Sequence, residues 1–421
     1  MADNVGVEVQ SVGKFFTNKI LTIPDYQRNY VWGKDKVEAF ISDIREHGEG
    51  KPYYMGSVLL FKKDDSTYEI IDGQQRITTL SILYHVLKGG LPEACEELSY
   101  TSEQSRWYIQ QAKKLFDENL NHEEKEAWKD LFEQLMFTVI QIPTQDLAFT
   151  FFDTQNNRGI PLSAADFLKA YHLRAVEKEP EQKGCAKLWE QSDKLGNQDF
   201  GNLESLFRNY LWRGRYWTGR RVDEFESKAR ILDEFQKKTH QNIGWVQLHS
   251  RMRMPIQAGK PFFAYAAQFA EIREVVRKEV KYFLDLHESS FAREFLQLSC
   301  MMFYDKFGLL QLDGFAKALE YAIGAVRIKQ SRICKQTLRN EFLRDSEQNL
   351  FDVIVMAYRP DEVLIYIQSL AWVEEAYANP PVNIENNDVR VRYLSKCDKA
   401  GMRDDSARGE LIKVKVETNH A

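Results

Sequence analysis

The segment EIIDGQQRITTL, residues 69–80, gathers two acidic groups (Glu69 and Asp72), two carboxamides, an arginine and two threonines around a glycine. It does so where an apolar strand pattern gives way to a helical one. Asp72 just before the helix, with Gln75 three residues on, reads as an N-cap and capping box, and Gly73 eases the turn. Arg76 fits that account less well, because a cation in the first turn faces the positive end of the helix dipole. The backbone N–H groups of that end, together with Arg76, would hold an anion or a phosphate. Gln74, Thr78 and Thr79 add neutral hydrogen-bonding groups. The alternative is that Arg76 turns away to a carboxylate. The chain has no GxxxxGK[ST] loop, so the corner is not a Walker-type cradle.

Two further stretches carry chemistry-bearing residues. In TIPDYQRNYVW, residues 22–32, Pro24 favours extended backbone, so that Tyr26, Arg28, Tyr30 and Trp32 share one face and Gln27 and Asn29 the other. Aromatics around an arginine can stack on a base and hold a phosphate. The competing account is an aromatic-capped strand edge with Arg28 in a surface ion pair. In FFDTQNNRGIPLSAADFLKAYHL, residues 151–173, Asn157, Arg158 and Gly159 make a turn, and Ser163 with Asp166 forms a capping box. Asn156, Asn157 and Arg158 are left as polar groups beside it.

The elements that must position these residues follow from periodicity. Val37, Phe40, Ile41 and Ile44 predict a helix over 34–47. YYMGSVLLF (53–61) and 67–71 predict a β-hairpin across the turn KKDDS, and a helix from Arg76 stops at Gly89 and Gly90. Residues 103–137 read as amphipathic helix, and FTVIQI (137–142) as a short strand ended by Pro143. From 185 to 372 helical patterns succeed one another with no fixed repeat. NPPVNIENND (379–388) reads as a linker, and the alternating stretches VRVRYL and LIKVKVE that follow as a small hairpin or a mobile tail. The expected organisation is therefore α+β: a domain over 1–180, a helical domain over 185–375, and a linker and tail over 376–421.

Composition narrows the classes. The 421 residues are 43% hydrophobic and 28% charged, which is ordinary globular usage, with 13% aromatics. A net charge of −5 argues against a protein that coats nucleic acid generally, though not against a local basic face. The five cysteines have no short metal-ligand spacing and are odd in number, so neither a disulfide framework nor a zinc ribbon is expected. No signal peptide and no apolar run of membrane-spanning length are visible, so a cytoplasmic location and no membrane partner are expected. The most nucleic-acid-like stretch is FRNYLWRGRYWTGRR, residues 207–221, where Arg208, Arg213, Arg215, Arg220 and Arg221 interleave with aromatic rings. The competing account is a core of aromatics with arginines paired to acids. Arg327, Lys329, Arg332, Lys335 and Arg339 are a weaker candidate that a solvated helix face also explains.

Taken in order, IPDYQRNYVW, YYMGSVLLF, IIDGQQRITTL and FFDTQNNRGIPLSAADFLKA resemble the N-terminal domain of GmrSD-type restriction proteins, which also occurs in phosphorothioate-sensing defence nucleases. The resemblance covers roughly residues 8–175. It implies a domain similar to the ParB and sulfiredoxin fold, acting as a nucleotide-binding, NTP-hydrolysing sensor with DNA in bacterial defence against phage. The family's box falls on Asp72, Gly73, Gln74, Gln75 and Arg76, and its YQR motif on Tyr26, Gln27 and Arg28, followed by Tyr30 and Trp32. Its glycine-serine pair falls on Gly56 and Ser57, and its asparagine and arginine on Asn156 and Arg158. Many relatives add a His-Asn-His nuclease. The 8 histidines of this chain form no such cluster, His240 and His249 included, so any cutting of DNA is assigned to a separate nuclease partner.

Three functions compete. In the first, the corner binds an NTP with Mg²⁺: Arg76 and the glutamines hold phosphates, and Asp72 binds the metal or orients water. In the second, the chain is a DNA-binding regulator without turnover. In the third, the ParB-like domain is itself a nuclease, for which Asp72 as the one acidic group of the box is thin support. Nucleotide preference, the DNA modification sensed and self-association into a homo-oligomer stay open.

Overall fold

The computed structural model describes residues 5–47, 50–100, 102–144, 162–195, 203–219, 221–222, 225–236, 251–346, 348–380 and 388–402. The chain divides into two compact units, Met1–Ala170 and Tyr171–Ala421. The first is α+β with a mixed five-stranded sheet, and the second is helical.

In the first unit β1 (Gly6–Ser11), β2 (Ile20–Thr22), β3 (Tyr53–Lys62), β4 (Thr67–Asp72) and β5 (Leu135–Ile142) lie in the order β1-β5-β3-β4-β2. β3 and β4 form the expected antiparallel hairpin. Its turn is fixed by Asp64, whose carboxylate accepts from the N–H groups of Ser66 (3.0 Å) and Thr67 (2.8 Å), and these bonds hold its pKa below the usual value. β5 runs parallel to β3, and β2 parallel to β4. α1 (Val12–Phe15), α2 (Lys34–His47), α3 (Gln74–Lys88) and α4 (Glu103–Asn119) bury Phe15, Val37, Phe40, Ile77, Leu80 and Phe116 with Val58, Leu60, Ile70, Phe137 and Val139 of the sheet in one core. Each such side chain contributes roughly 1.5–3 kcal/mol when fully buried.

Three expectations for this unit change. β1 and β2 add to the expected strands: β1 is an edge strand whose Val7 and Val9 face outward, so its alternation marks no core. The helix expected over 103–137 ends at Asn119, because Asn121 opens α5 (His122–Ala127) with a capping box to Glu124. α6 (Leu131–Gln134) follows, and the strand then begins at Leu135, two residues before FTVIQI.

The corner between β4 and α3 depends on Gly73. Its φ of 94° lies in the left-handed region, and a Cβ there would come within 2.8 Å of Val58 Cγ1. We expect Gly73→Ala to cost about 1–3 kcal/mol from backbone strain alone, read as a fall in melting temperature. An unchanged melting temperature would show that the corner relaxes without it.

The second unit contains α7 residues from Tyr171 onward (α7, Ala164–Arg174), α8 (Glu179–Lys194), and α9 in consecutive stretches Leu203–Ser205, Leu206–Leu211 and Trp212–Tyr216, the middle one a π-helical turn. α10 (Lys228–Gln236), α11 (Lys260–Glu279), α12 (Lys281–Leu286), α13 (Ser290–Phe307) and α14 (Leu312–Lys329) follow. Trp189, Phe207 and Phe262 stack face to face, with His172 on Phe262 at 3.6 Å between centroids. The tail expectation changes as well. VRVRYL lies in a helix, α15 (Val389–Lys399), capped by Asp388. Val391, Leu394 and Cys397 are buried at helical spacing, and this three-residue period prevails over the alternation that suggested a hairpin. LIKVKVE lies outside the described residues.

Candidate functional site

The corner does not form a capping box on Asp72. Asp72 is the last residue of β4, paired with Leu59, and Gly73 occupies the N-cap position without a side-chain cap. The first helical bond runs from Ile77 N–H to Gly73 C=O at 2.9 Å, so the N–H groups of Gln74, Gln75 and Arg76 lack an intrahelical acceptor. The Gln74 side chain is 5% exposed, and its Oε1 is buried without a hydrogen-bond partner.

The other glutamines act as brackets for the 26–32 loop. Gln75 Oε1 accepts from Val31 N–H (3.0 Å), and its Nε2 donates to Asn29 C=O (3.0 Å). Pairing of β2 with β4 ends at Thr22 and Glu69. Beyond it, Gln27 Nε2 donates to the carbonyls of Ile70 (3.1 Å) and Ile71 (2.7 Å). The amide thus takes over where the strand stops. Gln27→Leu would leave both buried carbonyls without this donor, at about 1–3 kcal/mol. A lowered urea midpoint with faster proteolysis within 26–32 is the expected result, and a wild-type midpoint would refute the bracket.

The loop itself is not extended throughout. Gln27 N–H bonds to Pro24 C=O at 2.9 Å in a turn, which breaks the alternation expected for Tyr26, Arg28, Tyr30 and Trp32. Tyr30 is wholly buried, its hydroxyl 2.9 Å from Thr79 Oγ1, and burial pushes its pKa up to about 12. Trp32 packs against the core beside Phe40. Thr78 Oγ1 donates to Gln74 C=O and meets Tyr100, and Thr79 Oγ1 donates to Gln75 C=O. Tyr30, Thr78 and Thr79, expected at the ligand, have their hydroxyl groups bonded to one another, to Tyr100 and to the first turn of α3.

The remaining candidates line up at the strand ends. Arg76 donates to the carbonyls of Met55 (2.7 Å) and Ser57 (2.6 Å), and its Nη2 lies 3.6 Å from Asp72. These carbonyls flank Gly56, where β3 bulges against β5 and φ is 91°; a Cβ there would sit 2.5 Å from Arg76 Nη1. Arg28 is half-buried and feels both Asp166 and Asp72: burial lowers its pKa, and the two carboxylates oppose that. Burial likewise lowers that of Arg76, opposed by Asp72. Burial raises the Tyr26 phenol. Asp166 is held by the expected capping box, its carboxylate accepting from Ser163 N–H and Oγ–H while Ser163 Oγ accepts from Asp166 N–H. Arg28 thus feels the charges of Asp166 and Asp72, and Arg76 lies beside Asp72, so the four form an electrostatically linked row. Asn156 and Arg158 lie outside the described residues. The sequence presents Asp166 only as a cap; its electrostatic link to Arg28 spans 138 positions and leaves no local signal in the sequence.

In the basic stretch of the second unit, expected as a DNA face, Arg208, Arg213 and Arg215 are paired with carboxylates. Arg213 is buried, bonded to Glu226 (2.9 Å) and Glu294 (2.7 Å). Arg215 bonds to Glu234 and to the carbonyls of Met252 and Met254. Arg208 pairs with Glu204 one turn away. Trp212 and Trp217 are core residues. Arg221 is exposed, and Arg220 lies outside the described residues. The weaker basic set is no single surface either, since Arg327 and Arg339 are buried. Among the described residues no helix is long and apolar enough to cross a membrane, and no group of three or more His, Cys, Asp and Glu is placed to hold a metal ion. His240 and His249 lie outside the described residues.

No curated protein matches the chain. Residues 181–250 and 238–376 match a family of unknown function, DUF7834. Residues 12–173, which hold the whole row from Arg28 to Asp166, match the model described as GmrSD restriction endonuclease, N-terminal domain. The first part of this chain is therefore an N-terminal domain of the GmrSD restriction type.

Proposed function

We propose that the protein is a nucleotide-binding, NTP-hydrolysing sensor subunit of a DNA restriction system, with the β4–α3 corner as its phosphate site. The observation that carries this reading is the start of α3. It is a helix N-terminus with no side-chain cap, with Arg76 beside Asp72 and Arg28 within electrostatic reach of the same carboxylate. Such an end offers N–H groups and a positive dipole to a phosphate. The domain match supports the setting: the relatives it describes are restriction endonucleases, and DNA is the partner their description implies. The ParB-like fold class, a separate nuclease partner and self-association belong to the same proposal.

In the reaction, water attacks the γ-phosphorus and the bond to the β–γ bridging oxygen breaks, giving NDP and phosphate. The Arg76 and Arg28 guanidinium groups would stabilise charge on the phosphoryl oxygens. Asp72 would orient the attacking water. Mg²⁺ is a hard ion that binds phosphate with one or two carboxylates; Asp72 would be the carboxylate that holds it, and the ion would supply charge neutralisation on the phosphates. The test is phosphate release by the purified chain with each of four NTPs and Mg²⁺, with and without DNA. Turnover that DNA stimulates supports the sensor. Saturable binding without release would favour the regulator reading, and nicking of DNA by the chain alone would favour the nuclease.

A further inference from the structure

The sheet has one face packed on the core and, at its β1–β5–β3 end, one face that is apolar and open. Val7 pairs with Ile140 and Val9 with Thr138 across β1 and β5, so their side chains share that face. Val7 and Val9 are 65% and 60% exposed. Tyr54 of β3 stands opposite Met136 of β5, is 60% exposed, and its hydroxyl lies 3.0 Å from Thr138 Oγ1. That bond fixes the ring over the sheet.

This face is continuous with the phosphate corner. The bulge at Gly56 inserts one residue, which returns Ser57 to the same face as Tyr54. Arg76 lies against the bulge and donates to Met55 C=O, the residue next to Tyr54. One line of groups therefore runs from Asp72 through Arg76 to the Tyr54 ring and on to Thr138. A fixed, exposed aromatic on a sheet beside a cation suits a base stacked on the ring with its phosphate at the cation.

We propose that Tyr54 and the open sheet face form the base subsite of the nucleotide whose phosphates occupy the β4–α3 corner. The inference rests on the phosphate reading of that corner. Recognition is by stacking on an apolar surface, so the site accepts all four bases with modest preference.

The test compares binding of ATP, CTP and inorganic tripolyphosphate, each with Mg²⁺, to the full chain and to Tyr54→Ala, Tyr54→Phe and Tyr54→Trp. Tyr54→Ala should weaken both nucleotides by about tenfold and leave tripolyphosphate binding and melting temperature unchanged. Tyr54→Phe should keep most of the affinity. The emission contributed by the new indole of Tyr54→Trp should be quenched by nucleotide and not by tripolyphosphate. Equal losses for nucleotide and tripolyphosphate, or no loss for nucleotide, overturn the subsite. If tripolyphosphate binds through Arg76 while nucleotides ignore position 54, the corner stands and the platform falls. If the wild-type chain binds none of the three, both fall.

Discussion

Arg76→Ala is expected to lower NTP turnover by a factor of about 10²–10³ or more, the usual effect of removing one preorganised donor from a transition-state site. The geometry allows this loss to be separated from unfolding. The guanidinium side chain is 24% exposed and spends two N–H groups on the carbonyls of Met55 and Ser57. Water can reach those carbonyls when the side chain is truncated, so we expect a stability cost of about 1–2 kcal/mol, in the range of ordinary hydrogen bonds. Arg76→Lys restores the charge, but an ammonium is a point donor and cannot grip both carbonyls in one plane. It should recover binding of triphosphate more than turnover. The measurement is kcat and KM for both variants beside urea denaturation of each. Turnover within threefold of wild type in a folded Arg76→Ala would sink the phosphate reading of the corner.

The same arginine shows what could be read before the structure and what could not. Its place at a strand-to-helix corner was legible, because the apolar period changes there and Gly73 punctuates it. α2 and the stop at Gly89 were legible for similar reasons, since their signals lie within one turn of chain. The roles of Gln27 and Gln75 were not. Each carboxamide bonds backbone more than 40 positions away, and a glutamine in a sequence does not announce which carbonyl it will meet. Tyr26, Arg28, Tyr30 and Trp32 failed as a shared face because one turn hydrogen bond, Gln27 to Pro24, shifts the phase of everything after it. Of the row that makes the candidate site, Asp72 and Arg76 were visible together and Arg28 from its own motif. The cap alone accounts for Asp166 in the sequence, and nothing there sets Tyr54 apart from the other aromatics of its strand.

The stretch that reads most like a nucleic-acid surface should respond to mutation as a core. Arg213→Ala is expected to destabilise the second unit by about 3–5 kcal/mol, the cost of breaking a buried ion pair from one side. The arginine side chain is 3% exposed and Glu226 6%, so truncation leaves a carboxylate that solvent cannot reach. Burial alone would disfavour the charged form of Glu226, yet Arg213 and Lys335 outweigh it and its pKa sits below the usual value. Its pairing therefore contributes at neutral pH and is lost as pH falls through that lowered pKa. Glu294 is better exposed and loses less, and Lys335 still bonds Glu226, so the effect should lie near the lower end. Arg208→Ala is the contrast: its side chain is 41% exposed in a one-turn pair with Glu204, worth about 0.3–0.5 kcal/mol. Urea denaturation followed by the tryptophan signal, beside DNA binding by anisotropy, separates the two accounts. Adding Glu226→Gln to Arg213→Ala should recover part of the lost stability, since it removes the stranded charge. A stable Arg213→Ala whose DNA affinity falls would return this stretch to the surface and overturn the buried-pair account.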